Sequence, residues 1–330
     1  MKMIKHAVCG ALAMLVSASA LADAYKMKIG IATRNDPIHH YAKELAKRLN
    51  ERSDGQIEAK VFPGGQLGNI PRMIENLQFG AIEVVVAPPL FAKGLSDRFE
   101  VAAAPGLFRD IDHAYATLQD ADFRDDYLSL ADNNGVTGIG LWVYGGSSYA
   151  SKKPIVKLTD FNGMKIRSIG SDLEDKELNL LGASAVPMPF IEMVPGLQNN
   201  AIDGVRSSIL AMGAMKMQTV ADHLTITGEI QYPIAAFASK GFLNKLPDEL
   251  EQLVMDTSRE LDKEMQSHVI EKNNLALDDW TTEGVTVHQL DAADSQQLIE
   301  NGKTATTEVF AAKPESLALY QKLVEISNKY

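Results

Sequence analysis

Along the chain, short apolar runs alternate with stretches in which apolar residues recur every three or four positions. Residues 28–31, 56–62 and 83–87 follow the first pattern and read as strands. The consecutive Val84, Val85 and Val86 suit a strand covered on both faces. Between the first two runs, Ile38, Tyr41, Ala42, Leu45, Ala46 and Leu49 fall at the spacing of an amphipathic helix, opened by Asp36-Pro37. Ile70, Met73, Ile74 and Leu77 do the same for a second helix, which follows a turn at Pro63-Gly64-Gly65. Alternation at this spacing predicts βαβ units and a largely parallel sheet.

The alternation restarts with strand-like runs at 136–144, 164–169, 185–188, 202–207 and 224–227. Ser171-Asp172-Leu173-Glu174 is a capping box that opens a helix among them. From 247 to about 283 the pattern is helical, with Leu250, Leu253, Val254, Leu261, Met265, Val269 and Leu275 as its apolar line. Such a helix is longer than one small domain covers. A chain of 330 residues is also long enough for two domains. The expected fold is α/β in two lobes, each a sheet flanked by helices, with a cleft between them and the long helix spanning both. The first lobe is expected over 23–144 plus about 233–270, and the second over 145–232 plus about 271–330.

The N-terminus follows a different rule. Lys2 and Lys5 precede an apolar run over 7–16, and Ala20-Leu21-Ala22 supplies a small-x-small cleavage pattern, the layout of a secretory signal peptide. The run is too short to remain as a bilayer span, so 1–22 is expected to be removed on export. Cys9, the single cysteine, leaves with it, and a core of this size needs no disulfide. Loss of Lys2 and Lys5 takes the formal charge from −11 to −13. So acidic a chain offers no general field to nucleic acid or anionic lipid. An anionic ligand would have to be held by local arginines.

Signals for catalysis are sparse. HExxH, GxSxG, a Walker-type glycine loop and paired metal-ligand spacings do not occur in the sequence, although each chemistry would need such a pattern. Gly64-Gly65-Gln66-Leu67-Gly68 lacks the GxGxxG spacing and reads as a turn. Gly145-Gly146-Ser147-Ser148 has no histidine or acid tied to it by spacing. His39-His40 reads as one histidine on the solvated helix face and one near the core, and Met212, Met215 and Met217 as packing. No metal and no cofactor is expected, and weight falls on binding rather than catalysis.

Residues 163–207 carry the most information. Gly163-Met164-Lys165-Ile166-Arg167, Leu181-Gly182-Ala183, Val186-Pro187-Met188-Pro189-Phe190, Glu192, Leu197-Gln198 and Ile202-Asp203-Gly204 occur in that order. The series resembles the extracytoplasmic solute receptors of TRAP (tripartite ATP-independent periplasmic) transporters, which carry G-x-K-I-R, L-G-A-x-P-V-P-M-P-F, E-x-x-x-A-L-Q and V-D-G. Agreement extends through 62–68, Leu107-Phe108-Arg109-Asp110 with His113, and Lys153-Pro154-Ile155, and so covers essentially the whole mature chain. The resemblance implies a two-lobe periplasmic binding protein fold of type II-like build. It also implies a periplasmic, non-enzymatic monomer that captures a small organic acid anion and delivers it to the membrane permease subunits of a TRAP-type transporter.

In that family the arginine of the K-I-R strand binds the ligand carboxylate, a role the resemblance carries to Arg167. The chemistry fits, because a guanidinium is always charged and its fork matches both carboxylate oxygens. Arg167 also stands in an apolar pattern with Ile166 and Ile169, where an arginine needs a partner; an interlobe salt bridge to a glutamate would serve equally. Phe190 corresponds to the family's pocket aromatic, with core packing as its other use, and Trp142 and Tyr149 flank the expected hinge as further aromatic candidates. Many relatives place a second arginine where this chain has Ser147, and Glu-Asn-Pro where it has Arg206-Ser207-Ser208. Ala32 and Ala87-Pro88-Pro89 stand where binders of hydroxylated acids have polar residues. Thr33, Arg34, Ser147, Arg206 and Ser207 complete the candidate set, with at most one of Arg206 and Ser207 facing the cleft because strand residues alternate. The expected ligand is a hydroxy or aromatic monocarboxylate, with a small sulfonate as the alternative. An enzyme on the same fold and a ligand-sensing subunit for a receptor kinase are the competing readings.

Overall fold

Nine strands form the centre of the protein: β1 (Tyr25–Gly30), β2 (Ile57–Phe62), β3 (Val84–Ala87), β4 (Val136–Ser151), β5 (Lys165–Ser168), β6 (Ser184–Pro187), β7 (Gly204–Ser208), β8 (His223–Ser239) and β9 (Thr286–Gln289). They belong to a computed structural model that describes residues 24–330, so the expected signal peptide lies outside the described residues. Their order is β2-β1-β3-β8-β4-β7-β5-β6, with β9 on β8. β1 runs parallel to β2 and β3, as crossovers through helices Pro37–Arg52 and Ile70–Gln78 require. All four residues of β3 are buried, as expected for a strand covered on both faces. Every apolar position predicted for the first helix is buried as well.

β4 and β8 stand apart from the rest, at 16 and 17 residues, and pair antiparallel along their whole length. At one end β8 also pairs with β3, Val84 opposite Ala238. At the other end β4 pairs with β7, Ser148 opposite Ser207, and β8 with β9. The two lobes are therefore built on the two ends of a single strand pair. Register shifts between Val143/Gly145 and Gly146/Ser148 mark the middle, where bulges bend and twist the ladder. Gly145 has φ of 125°, and a Cβ there would sit 2.7 Å from the Asn273 side chain of the long helix, so the strand passes only because it carries glycine.

The sequence reading ended β4 near 144 and β8 near 227. β8 continues past Gly228 and through Pro233, and Pro233 sits opposite Val143 beside the register shift, where the ladder can spare a donor. The long helix spans Asp248–Thr282, 35 residues, or about 52 Å. It packs on helix Pro37–Arg52 of the first lobe and on Ile209–Ala214 of the second. Leu275, expected on its buried line, is 49% exposed, and Ala276 and Trp280 are buried instead. These lie seven and eleven residues beyond Val269, the positions that a 3.6-residue period returns to one face. Midway, the wholly buried Asp262 accepts from Arg124 Nη2 at 2.6 Å and from the Leu141 N–H at 2.9 Å, tying the helix to β4.

The C-terminal region departs from the expected division. Helix Ala292–Ala311 packs on Asp172–Leu180 of the second lobe, but helix Pro314–Ser327 returns to Asp97–Ala103 and Ile111–Leu118 of the first. Buried Leu323 and Ile326 join the main core, and the Ser327 carbonyl lies 2.9 Å from His113 Nε2. Among the described residues no helix is long and apolar enough to cross a membrane.

Candidate ligand-binding site

A cavity lies between the lobes, beside the crossing of β4 and β8. The end of β3 and the segments after β1 and β3 supply one wall through Ala87, Thr33, Pro88 and Phe91. β5, β7 and the segment after β6 supply the other through Arg167, Ser207 and Phe190. Tyr232 and Ile234 of β8 close the base, and most of the lining is hydrocarbon. The lobes are shut over it. Lys93 Nζ of the first lobe donates to the Gly170 carbonyl of the second. Lys313 Nζ lies 3.0 Å from Glu100 and 2.9 Å from Asp172, one on each lobe.

Arg167 is 2% exposed. Its Nε donates to the Met188 carbonyl at 2.9 Å, which fixes the plane of the guanidinium, while Nη2 has no hydrogen-bond partner among the described residues. The Pro187-Met188-Pro189-Phe190 segment thus orients the arginine with one residue and lines the cavity with another. Burial lowers the Arg167 pKa from the usual arginine value, with Glu174 opposing the shift. A buried, charged donor left over on a cavity wall is costly unless an anion reaches it.

Arg206 has a different fate. Both terminal nitrogens of its guanidinium face acids: Nη1 donates to Glu177, with Glu229 3.6 Å away, and Nη2 lies 3.4 Å from Glu174. Burial works against its charge, but Glu177, Tyr149 and Glu174 hold its pKa well above the ordinary value. Ser147 does not face the cavity. It is buried, donates to Glu229 and accepts from the Ile230 N–H at 3.1 Å. Tyr149 donates to the same glutamate at 3.3 Å and packs edge-on against Phe161 in the second lobe's core. Trp142 is core too, stacked on Tyr41 with centroids 5.8 Å apart. Arg34 is exposed, with its guanidinium packed over the Gly64 turn. Of the residues singled out from sequence, Thr33, Arg167, Phe190, Ser207 and the edge of the Arg206 cluster border the cavity; Arg34, Trp142, Ser147 and Tyr149 do not.

The acid cluster traces back to the capping box. Ser171 Oγ accepts from the Glu174 N–H at 3.0 Å, but Glu174 accepts from Ile169 N–H rather than returning to Ser171. That turns its carboxylate toward Arg206. One arginine facing three carboxylates is short of positive charge, and burial pushes Glu177 up to about 7; Asp262, also buried, moves up to about 7. A carboxyl with a folded pKa above its unfolded value binds its proton more tightly in the native state. Its stabilising contribution is present below the unfolded pKa and is lost as pH rises through about 7. The melting temperature should therefore climb by a few degrees between about pH 8 and pH 5.5. Glu177→Gln should climb less, and a melting curve with identical pH slopes in both proteins would contradict the assignment.

Sequence reasoning missed Glu100, Tyr144 and Tyr232, which also line the cavity. Tyr144 is accounted for, since its hydroxyl donates to Asp36, the helix cap. Glu100 carried a usable signal: it is the one charge in the run Phe99–Ala104, the same signal that drew attention to Arg167.

Two lobes sharing a strand pair and closed over a buried cationic donor define a solute receptor. The profile of the DctP family, bacterial extracellular solute-binding protein family 7, matches residues 30–313, and the chain belongs to that family. It is thereby a TRAP-type periplasmic solute-binding protein. The 2,3-diketo-L-gulonate-binding periplasmic protein YiaO of Escherichia coli is 29% identical over 82% of this chain and 83% of its own length. The C4-dicarboxylate-binding periplasmic protein DctP of Rhodobacter capsulatus is 27% identical over 86% of each. A TRAP periplasmic solute-binding protein from Desulfovibrio salexigens, solved with bound orotic acid, superposes with a TM-score of 0.88 at 27% identity, covering 92% of this chain and 99% of that one.

Proposed function

We propose that the protein captures a monocarboxylate with a flat, largely apolar body, of the hydroxy or aromatic type, and delivers it as a monomer to the membrane subunits of a TRAP transporter, without catalysis. The observation that carries this is Arg167 Nη2, buried beside the cavity without a partner among the described residues. The bound orotic acid of the Desulfovibrio relative, a planar monoacid, supports the same class. Closure would hinge where β4 and β8 cross, near residues 144–146 and 231–233.

A ligand that binds only the closed protein stabilises it by about 4 kcal/mol at a thousandfold excess over Kd. A thermal-shift screen of organic acids is expected to give hits among the acids, with their methyl esters and amides silent. Tightest binding by neutral sugars or cations would overturn the reading.

Dicarboxylates should bind worse. A second carboxylate in the closed cavity needs its own counter-charge, because an unpaired buried carboxylate costs several kcal/mol. Arg206 is already committed to Glu177, Glu174 and Glu229. Butyrate is expected to outcompete succinate by about 2 kcal/mol, roughly thirtyfold, and equal affinities in a calorimetric competition would refute this.

A further inference from the structure

The buried side-chain atoms around the cavity that lack a partner are not all donors. Arg167 Nη2 and Arg206 Nε can only donate and Thr33 Oγ1 can do either, but Glu100 Oε1 can only accept. Glu100 is fully buried in the first lobe, within Asp97–Ala103, whereas Arg167 comes from β5 of the second. Both residues line the cavity, so a molecule filling it lies between a guanidinium from one lobe and a carboxylate from the other.

Lys313 Nζ lies 3.0 Å from Glu100 Oε2 and is shared with Asp172 at 2.9 Å, so the carboxylate has a cation at one oxygen and an unused lone pair at Oε1. A second cation there would be repelled by the Lys313 ammonium, which favours a neutral hydrogen-bond donor over an ammonium group. It also gives the site an argument for discrimination: a pocket built to receive a donor rejects analogues lacking it, since the buried acceptor is then left unmet. Resting on the monoacid reading above, we infer that Glu100 is a specificity-determining residue and that the preferred ligand is a planar acid bearing an N–H on its body, of the cyclic amide or imide class, directed at Glu100 Oε1.

The substitution Glu100→Gln reverses the polarity of this point. Lys313 can only donate, so it retains the amide oxygen, and the amide NH2 is left toward the cavity. A donor then faces the ligand's donor. Orotate, its N,N′-dimethylated form and benzoate are titrated calorimetrically into wild type and Glu100→Gln, with melting curves verifying the fold of both. Wild type is expected to prefer orotate over the dimethylated form by about 10- to 100-fold, and Glu100→Gln to reduce that preference to within about threefold. A preference that persists in Glu100→Gln would assign it to the bulk of the methyl groups and overturn the inference. So would equal binding of the two forms by wild type, even with benzoate and orotate both binding well, which would leave the monoacid reading standing. If none of the three acids bound wild type, the monoacid reading itself would fail, and this inference with it.

Discussion

Arg167→Ala is expected to lose ligand affinity by roughly 30-fold to a few thousand-fold while melting close to wild type. Removing one partner of a buried, hydrogen-bonded charge pair costs about 2–5 kcal/mol, and each 1.4 kcal/mol is tenfold. The fold has little to lose, because the guanidinium's bond to the Met188 carbonyl leaves Nη2 without a partner among the described residues, and burial works against its charge. Arg167→Lys should be nearly as poor, since an ammonium cannot form two parallel bonds to a carboxylate. Calorimetry with the best acid from the thermal-shift screen checks both, and wild-type affinity in Arg167→Ala would sink the assignment.

Arg206→Ala should fail in the opposite way. It strands Glu174, Glu177 and Glu229, all less than a tenth exposed, around the space the guanidinium occupied. Breaking a buried ion pair by removing one partner costs about 3–5 kcal/mol, so the variant is expected to melt roughly 10 °C lower. Adding Glu177→Gln removes one of the stranded charges and should recover part of the loss, the signature of coupled neighbours. Urea unfolding of the two single variants and the double variant measures this. A fully stable Arg206→Ala that had lost only dicarboxylate binding would mean that Arg206 faces the ligand.

These two arginines show what the sequence made legible. Arg167 stood out because an always-charged residue in an apolar strand must be met by something, and the P-M-P-F segment beside it matched a family pattern. Arg206 looked equally available. Nothing local announced that Glu174 would turn from its capping partner, or that Glu229, far along the chain on β8, would reach Arg206 from beyond β4. Strand alternation put Ser207 and Arg206 on opposite faces, with at most one of them expected at the cleft, yet both border the cavity; Trp142 and Tyr149 could not be sorted into wall or core without the third dimension. The helices with clean periodicity, 37–52 and 70–78, were readable to within a residue or two. β8 was not, since Gly228 and Pro233 end strands in most settings and are tolerated here only beside a bulge.

The shared strand pair has a consequence for how such a receptor can be re-engineered. β4 and β8 each contribute residues to both lobes, the long helix touches both, and the last helix returns to the first. Neither lobe is a module with clean ends of the kind that permits exchange. A chimera that imported one lobe from a relative would have to splice two strands in mid-ladder and match the bulges at Gly145 and Gly146. New ligand preferences in this architecture are therefore reached by exchanging side chains around an intact frame, not by shuffling halves.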